Sequence, residues 1–537
     1  MPIERLLKQQ HSIVSRTPNP TFSAIVASPP PGRLPGPYLD VRSVATGLAT
    51  LYEKLRNTLD YRDEHLIRIY AIRRVLKRRM VRGSGAERIT EPLLRELIRS
   101  GYVPQDAVPE SSLHSYQKLF EKYIQLFTCL IHLYPGNVVR KVWEWVFLLA
   151  ANELEEKLFP GTHRQQLVNK LVDVMESENV LGLWPIGEEE RRQQEIIAAN
   201  RALLKLNNEL ISWELFKRHF PEWTKAASVE YVQAVAKALP MARAHFDKAM
   251  QSPVSDRLAR ALKPATTALW LLLATAEKQN DRGTLLSHPD LLRDAMGETI
   301  AEFSKNAQRR LRRTLWRSLF YIFLTKMALA VLLEIPTDRA LQGHVNVFNF
   351  AFTIFVPLAL LLVFGLSVRV PGKKNTSELL SHSQSLVYDG TLGIEAPRAP
   401  ASRHVILDVT FNLVFFAIYL VTFGAVVMAL IRLNFTFVGI ALFLIFLSIV
   451  SFFGYRIREQ AQELIVTKGQ ERFLVFLPVM FFLPILRTGR WISRQSSKIN
   501  IFLFFFDLFI EAPLQSFLEF FDKFTGFLRE KREDITS

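Results

Sequence analysis

The sequence predicts an all-α protein in which a cytoplasmic multi-helix domain is followed by a polytopic α-helical membrane domain. Between residues 38 and 306, apolar residues recur at spacings of three and four, without the alternation that marks strands. After Arg309-Arg310-Leu311-Arg312-Arg313 the chain changes to apolar segments of bilayer length. The net charge of +16 fits basic residues retained beside anionic lipid on the cytoplasmic side.

The first 37 residues are predicted to be a disordered, proline-rich tail. No apolar run typical of a signal peptide occurs in it. Residues 29–37, Pro-Pro-Pro-Gly-Arg-Leu-Pro-Gly-Pro, favour polyproline II or a plain linker because proline lacks the amide donor that helices and strands need.

The cytoplasmic α-helical domain is predicted over 38–306, with one helix over Ile69 to Met80 before Gly83. The aromatic residues around Trp143 and Trp145, and the later Trp213 and Trp223, are interpreted as core. The single cysteine, Cys129, fits a reducing compartment. Further helices are expected at about 110–134, 137–158, 164–178, 187–218, 222–250, 254–280 and 289–317.

Basic residues dominate the helix at 68–82, which holds seven of them and no acidic residue. Three interpretations stay open: a solvated face balanced by acidic residues elsewhere, a surface that lies on anionic lipid, and a phosphate-backbone contact. The candidate lipid- or phosphate-facing residues are Arg73, Arg74, Lys77, Arg78 and Arg79 here, and Arg309, Arg310, Arg312 and Arg313 at the start of the membrane domain.

A four-helix transmembrane domain is predicted over 307–470, with crossings at about 315–333, 345–368, 405–431 and 435–453. Lysine and arginine are concentrated before the first crossing, between the second and third, and after the fourth. The two short turns carry only Arg339 and Arg432. This bias places the N-terminal domain in the cytoplasm. It also makes the arginine-rich join the cytoplasmic end of a helix that continues from the soluble part into the first crossing.

Residues 471–537 are predicted to form a re-entrant or interfacial hairpin and an amphipathic C-terminal helix, with two further crossings as the alternative. The apolar stretches there are short and interrupted by Pro478 and Pro484, and a basic turn separates them. A hairpin keeps that turn on the cytoplasmic side.

Polar residues inside predicted membrane segments are the candidate functional residues, because burying them in lipid costs free energy. Lys326 lies near the middle of the first crossing, with Glu334 and Asp338 toward its outer end. Lys326 either pairs with a carboxylate across the bundle or extends its ammonium toward the interface. The alternative for the other candidates is a wet, interfacial position. The others are Asp408 and Asn412 in the third crossing, and Asp507 and Glu511 near the C-terminus.

Motifs for nucleotide binding, zinc binding or serine hydrolysis do not occur in the sequence, so no cofactor, metal site or catalytic residue is predicted. A non-enzymatic role is favoured, although catalytic residues can converge in a fold without a linear motif. We expect a scaffold or docking platform at the inner face of a bacterial-type plasma membrane, contacting anionic lipid headgroups and a protein partner of the cytoplasmic domain. The alternatives are a transporter or channel with a regulatory cytoplasmic domain and, third, a lipid-modifying enzyme; nucleic-acid binding is disfavoured.

Overall fold

The structure is a computed structural model that describes most of the chain between residues 16 and 461. The predicted polyproline stretch 29–37 lies outside the described residues, as do Asp507, Glu511 and nearly all of the predicted C-terminal hairpin. The described residues are 16–28, 39, 64–81, 85–104, 108–159, 163–225, 228–344, 346–367, 372–399, 405–461, 484, 485, 487, 488 and 491. The described structure is 83% helical and contains no strand, which confirms the predicted all-α class.

Within the described residues, nine α-helices precede residue 252. Several of these helices end two residues before a proline, as at Pro135, Pro160 and Pro221. A single 3₁₀ turn, Glu110–Ser112, leads into α4. The helices are α1 Pro20–Ala27, α2 Glu64–Val81, α3 Ala86–Arg99, α4 Leu113–Leu133, α5 Gly136–Leu158, α6 His163–Ser177, α7 Glu188–Leu203, α8 Asn208–His219 and α9 Val229–Gln251.

Eight further α-helices and two π-helices follow in the part of the chain that the structure describes. The π-helices, Ala330–Glu334 and Ser385–Asp389, each directly continue an α-helix. The helices are α10 Pro253–Glu277, α11 Arg282–Ser287, α12 Pro289–Leu329, α13 Ile335–Gln342, α14 Val347–Ser367, α15 Lys373–Gln384, α16 Val405–Arg432 and α17 Phe437–Ala461.

The chain divides into two compact units. The N-terminal unit contains the described residues of 28–262, and the apolar unit contains those of 16–27 and 263–491. The division falls inside α10, whereas the sequence placed the domain end near residue 306. Residues 263–306 therefore pack with the apolar helices that follow them in the sequence.

Aromatic side chains form the core of the N-terminal unit, as predicted. Trp145, Trp213 and Trp223 are buried, and Phe216 contacts all three rings, edge-on to Trp145 and Trp223 and stacked on Trp213. Such ring pairs add stabilisation beyond the area that they bury. Three of the tryptophans interpreted as core from the sequence are thus core, whereas Trp143 is half-buried.

The predicted helix at 187–218 is instead two helices, α7 and α8. Lys205 adopts a left-handed φ of 52°, which an α-helix cannot contain. Asn207 then caps α8, because its side-chain oxygen accepts a hydrogen bond from the Leu210 amide at 3.0 Å. The cap fixes the start of the second helix and turns the chain.

A short helix, α1, lies within the tail that the sequence predicts to be disordered. Asn19 precedes it, and its side-chain oxygen accepts hydrogen bonds from the Thr21 amide and hydroxyl. Phe22 and Val26 are buried on its inner face. Burial of these two apolar side chains offsets the entropy of ordering this segment.

The arginine-rich join lies inside one continuous helix, as predicted. α12 runs for 41 residues through Arg309 to Arg313 and on to Leu329. No proline interrupts it after its first residue, Pro289.

The four predicted crossings are helical, and two satisfy the length and composition that a membrane span requires. These are the continuous helical segment Pro289–Gln342 and Asn412–Arg432. The apolar stretches of α14 and α17, Val347–Val363 and Phe437–Ser451, are shorter among the described residues. The structure therefore supports two spans by this criterion, against four predicted.

Candidate functional site

Several large apolar side chains of the apolar unit are exposed, while one lysine and one glutamate are buried. Phe320, Leu332 and Phe416 are exposed, whereas Lys326 and Glu334 are only 2% exposed. Of the two candidate spans, 28% and 11% of the most apolar window is buried, so these are not helices of a buried core. The buried charges are therefore the candidate functional site.

Lys326 and Glu334 form an ion pair with 2.7 Å between the ammonium nitrogen and Oε2. Residues eight apart on a regular α-helix differ by roughly 80° around the axis, so their side chains diverge. The π-helix at Ala330–Glu334 accommodates one extra residue, which brings the two to within roughly 20°, as for residues seven apart. The π-helix thus aligns the pair.

Neighbouring helices complete the surroundings of this pair. Thr353 of α14 places its hydroxyl 3.2 Å from Glu334 Oε1, and the ring centroid of Phe446 in α17 lies 5.3 Å from the Lys326 ammonium. Gly439 of α17 faces the carboxylate, since a Cβ at this glycine would lie 3.7 Å from Glu334 Oε1. Three helices and the π-helix therefore enclose the ion pair.

One turn beyond Glu334, a second buried carboxylate meets the start of α17. The Thr436 hydroxyl donates to Asp338 Oδ1 at 2.8 Å and accepts from the Gly439 amide at 3.2 Å, so Thr436 is the N-cap of α17. The helix N-terminus also favours the negative charge of Asp338. Among the described residues, Asp338 has no ion-pair partner.

Lys326 is thus neither extended toward an interface nor paired across the bundle, because its partner belongs to the same continuous helical segment. Asp408 and Asn412 lie on α16, where Asn412 is exposed; the Asp408 side chain lies outside the described residues. Among the described contacts, none joins Asn412 to Lys326. Thr353 and Thr436 escaped sequence reasoning because nothing distinguishes a buried threonine from any other.

The basic helix α2 is surrounded by acidic residues from three other helices. Arg79 lies 2.6 Å from Glu96, which also pairs with Arg78. The remaining ion pairs are Arg68 with Glu155 at 3.1 Å, Arg73 with Glu209 at 3.8 Å, and Lys77 with Glu144. Most of the charge of this helix is thus balanced within the N-terminal unit.

The arginines of the join have different surroundings. Arg309, Arg310, Arg312 and Arg313 are exposed, and within the described part of the chain none of them has an ion pair. The aromatic residues Trp316, Phe320 and Tyr321 follow them on the same helix and are exposed as well. Basic residues next to exposed aromatic rings are typical of the interface between a helix and a bilayer.

The N-terminal unit has its own buried charge pair. The Lys122 ammonium donates to Glu153 Oε1 at 2.6 Å, while Tyr123 and the Trp223 indole donate to Oε2. Burial lowers the pKa of Lys122 although Glu153 opposes the shift, and burial together with the Glu153 charge holds the pKa of Tyr123 well above its usual value. Every polar group here has a partner, so the cluster is a structural network.

A shallow apolar groove of about 340 Å³ lies on the N-terminal unit where α4 turns into α5. Arg140 supplies a positive charge at this groove. No group of three or more histidine, cysteine or acidic residues that could hold a metal ion occurs among the described residues. The groove is lined by Ile131, Tyr134, Gly136, Val139, Arg140 and Trp143.

Comparison with known proteins gives no match among family models, curated proteins or solved structures. The fold and the geometry therefore define the class of this protein: an all-α protein whose described residues include two helices long and apolar enough to cross a membrane.

Proposed function

We propose that the apolar unit is a polytopic helical membrane domain that anchors the N-terminal unit as a docking platform at the cytoplasmic face. The observation that carries this proposal is the exposure of apolar side chains on α12 and α16 around a buried ion pair. In water such a surface would be costly, whereas lipid removes that cost. The ion pair then needs burial between helices, which is where Lys326 and Glu334 lie.

Anionic phospholipid is the proposed membrane partner. The unpaired arginines from Arg309 to Arg313 precede the aromatic residues of α12 and mark the level of the headgroups. Near a membrane surface each basic residue contributes about 1 kcal/mol of attraction to anionic lipid. This cluster also orients α12 with the N-terminal unit on the cytoplasmic side.

The protein partner is proposed to bind the groove at the turn between α4 and α5. The groove is apolar and Arg140 lies at it, so a partner segment that carries an apolar side chain beside an acidic residue is complementary. Ile131 in this groove is 57% exposed, so its side chain is accessible to a partner.

Labelling of single cysteines tests the orientation. Cys129, the only cysteine, should react with a membrane-impermeant maleimide in inside-out vesicles and be protected in right-side-out vesicles. The matched control is His344→Cys in a Cys129→Ser background, because His344 follows α13 in the proposed outer turn. It should give the opposite pattern. Equal labelling of both positions from one side would refute the proposed topology.

A photo-crosslinking amino acid at position 131 tests the docking groove in the intact chain. One discrete crosslinked protein is expected, and it should disappear when Arg140 is changed to Glu. Leu183, exposed and apolar but outside the groove, is the control position. Identical crosslinks from positions 131 and 183 would show that the groove is not the docking site.

A transporter or channel is the second candidate, and the Lys326–Glu334 pair with its π-helix supports it. Buried charge pairs and π-helices within membrane helices are both frequent at functional sites. The test is ion or proton flux into proteoliposomes that contain the wild-type chain or the neutral double variant Lys326→Met/Glu334→Gln. Flux that is lost in a folded double variant favours this function, whereas equal flux counts against it.

A further inference from the structure

Residues 16–27, which include α1, belong to the apolar unit, although the chain enters the N-terminal unit directly after them. Within the described residues, α1 packs against α11 and against the π-helix Ser385–Asp389. The docked segment, as residues 16–27 are called below, is therefore held in the apolar unit by these contacts. Its neighbours in the sequence do not hold it there.

The docked segment supplies hydrogen-bond donors to the ends of two helices, where the last carbonyl groups lack partners within the helix. The backbone amide of Arg16 donates to the Ser287 carbonyl at 2.9 Å, at the end of α11. The amide of Asn19 donates to the Val387 carbonyl at 2.7 Å, and its side-chain nitrogen lies 3.4 Å from the Asp389 carbonyl. These main-chain contacts fix the register of the segment on the two helices.

Side chains make the contact selective for a particular sequence. The Nη2 atom of Arg16 lies 2.7 Å from Oδ1 of Asp389, and the guanidinium carbon lies 4.9 Å from the ring centroid of Tyr388. Phe22 and Val26, one helical turn apart, are buried. An acidic group and an aromatic ring thus receive the basic end of the segment, and an apolar contact receives the rest.

The backbone beside the π-helix permits a close approach. Gly390 has a φ of 69°, and a Cβ there would lie 2.6 Å from the side-chain nitrogen of Asn19. Any larger residue at position 390 would therefore collide with the docked segment and would be strained. At the other end of the segment, Arg282 of α11 donates to the Val26 carbonyl at 3.5 Å. The docking face, formed by α11, the π-helix and Gly390, is thus complementary to both ends of the segment.

We infer that the docking face is a peptide-binding site and that the docked segment occupies it as an exchangeable ligand. The attachment rests on two buried apolar side chains and on an ion pair whose side chains are 53% and 49% exposed. Exposed ion pairs contribute little, so the segment can leave without unfolding the unit. The ligand class is a peptide with an arginine three positions before an asparagine that starts a helix, followed by two apolar side chains one turn apart. The inference does not depend on the proposed membrane platform, because exchange is measurable on the solubilised chain.

The test uses the full chain in detergent, with a protease site inserted between residues 30 and 36. A fluorescent peptide of residues 14–28 should bind the cleaved chain, as measured by anisotropy. It should bind the uncleaved chain about tenfold more weakly or less, because the tethered segment competes at a high effective concentration. Absence of binding to the cleaved chain would overturn the inference, as would equal binding to the cleaved and the uncleaved chain.

Variants of the peptide localise the contact and leave the protein unchanged, so misfolding cannot explain their effect. Phe22→Ala in the peptide should weaken binding by about 100-fold, because it removes the largest buried side chain of the segment. Ala24→Ser, at an exposed position of α1, is the matched control and should bind as the wild-type peptide does. Equal affinities of the Phe22→Ala and wild-type peptides would also overturn the inference.

Charge reversal tests the basic end of the ligand. Arg16→Glu in the peptide should weaken binding roughly three- to tenfold, and Asp389→Arg in the chain should reverse this preference. Glu298→Arg, at an exposed acid of α12, is the control and should leave the preference unchanged. If Asp389→Arg fails to fold, the Phe22→Ala peptide decides the question. A folded Asp389→Arg chain that still prefers the wild-type peptide would contradict the assigned site.

Discussion

Two helices of this chain carry dense basic runs, and their surroundings differ. On α2, Glu96 alone binds two arginines, and acidic residues from α5 and α8 pair with others. On α12, no acidic residue occurs between Glu302 and Glu334, and the exposed arginines of the join have no ion pair among the described residues. The comparison teaches that a basic run indicates an external anionic partner only where the fold supplies no carboxylates.

The largest expected effect is a loss of affinity for anionic phospholipid when the arginines of the join, which have no ion pair among the described residues, are replaced. Changing Arg309, Arg310, Arg312 and Arg313 together to Gln should weaken binding of anionic phospholipid by two to three orders of magnitude, at about 1 kcal/mol per arginine. Thermophoresis of the solubilised chain with short-chain phosphatidylglycerol measures this. The control removes four exposed basic residues of the N-terminal unit: Arg88, Lys118, Lys141 and Lys225. Equal losses in both variants would erase the contrast between the two regions.

The second-largest expected effect is a loss of stability when the shared ion-pair partner of two arginines on α2 is removed. Glu96→Gln leaves Arg78 and Arg79 partly buried without their shared carboxylate, so the free energy of unfolding should fall by about 2 to 4 kcal/mol. Denaturant unfolding followed by tryptophan fluorescence measures it. The control is Glu91→Gln on α3, the helix that also carries Glu96. It breaks an exposed pair with Arg95 and should lower the free energy of unfolding by less than about 0.5 kcal/mol. If the two variants were equally stable, the balance of charge around α2 would be unimportant.

Glu195 is a buried acid without an ion pair among the described residues, and it tests the comparison from the opposite side. Burial, with a contribution from Glu176, raises the pKa of Glu195 to about 7, and neither carboxylate oxygen has a hydrogen-bond partner among the described residues. The unfolded chain releases this proton near pH 4.5, so stability should fall as pH rises from about 4.5 to about 7.

Glu195→Gln should remove that part of the pH dependence and stabilise the protein above pH 7 by an amount on the order of 1 to 3 kcal/mol. Denaturant titrations at several pH values measure the difference between the variant and the wild type. The exposed Glu188 on the same helix provides the control, Glu188→Gln. A parallel pH profile for wild type and Glu195→Gln would show that the acid is solvated.

The smallest effect concerns the weakest pair of α2. Arg73 and Glu209 lie 3.8 Å apart, and Glu209 is exposed. Arg73→Gln should change the free energy of unfolding by no more than about 0.5 kcal/mol. A loss above about 1.5 kcal/mol would mean that even this exposed ion pair contributes strongly to the stability of the N-terminal unit.

The sequence predicts the helices well where periodicity and breakers are local signals. The continuity of α12 follows from the lack of any proline after its start, and the buried tryptophans follow from apolar spacing. The break between α7 and α8 was missed because Asn207 is a cap only once the chain turns there. The domain boundary inside α10 has no composition signal, since it depends on which helices pack together.

The sequence predicts the charged residues of the candidate site but not how they pair or which neutral residues surround them. Lys326 stands out because a charge in an apolar segment is costly. The sequence could not predict Glu334 as its partner, because residues eight apart diverge on a regular α-helix and no sequence pattern marks a π-helix. Thr353 and Thr436 are ordinary polar residues until α14 and the start of α17 bring them to the carboxylates of Glu334 and Asp338.

The π-helix makes this polar arrangement depend on chain length as much as on residue identity. Leu332 lies in the π-helix and its side chain is exposed, so its deletion would remove no core contact. The deletion would convert the segment to regular α-helix with Lys326 and Glu334 seven positions apart, so the two side chains would stay within roughly 20° of each other around the axis. Homologues that keep both Lys326 and Glu334 should therefore separate them by eight positions where the π-helix is kept and by seven where it is lost, even where the intervening apolar residues vary freely.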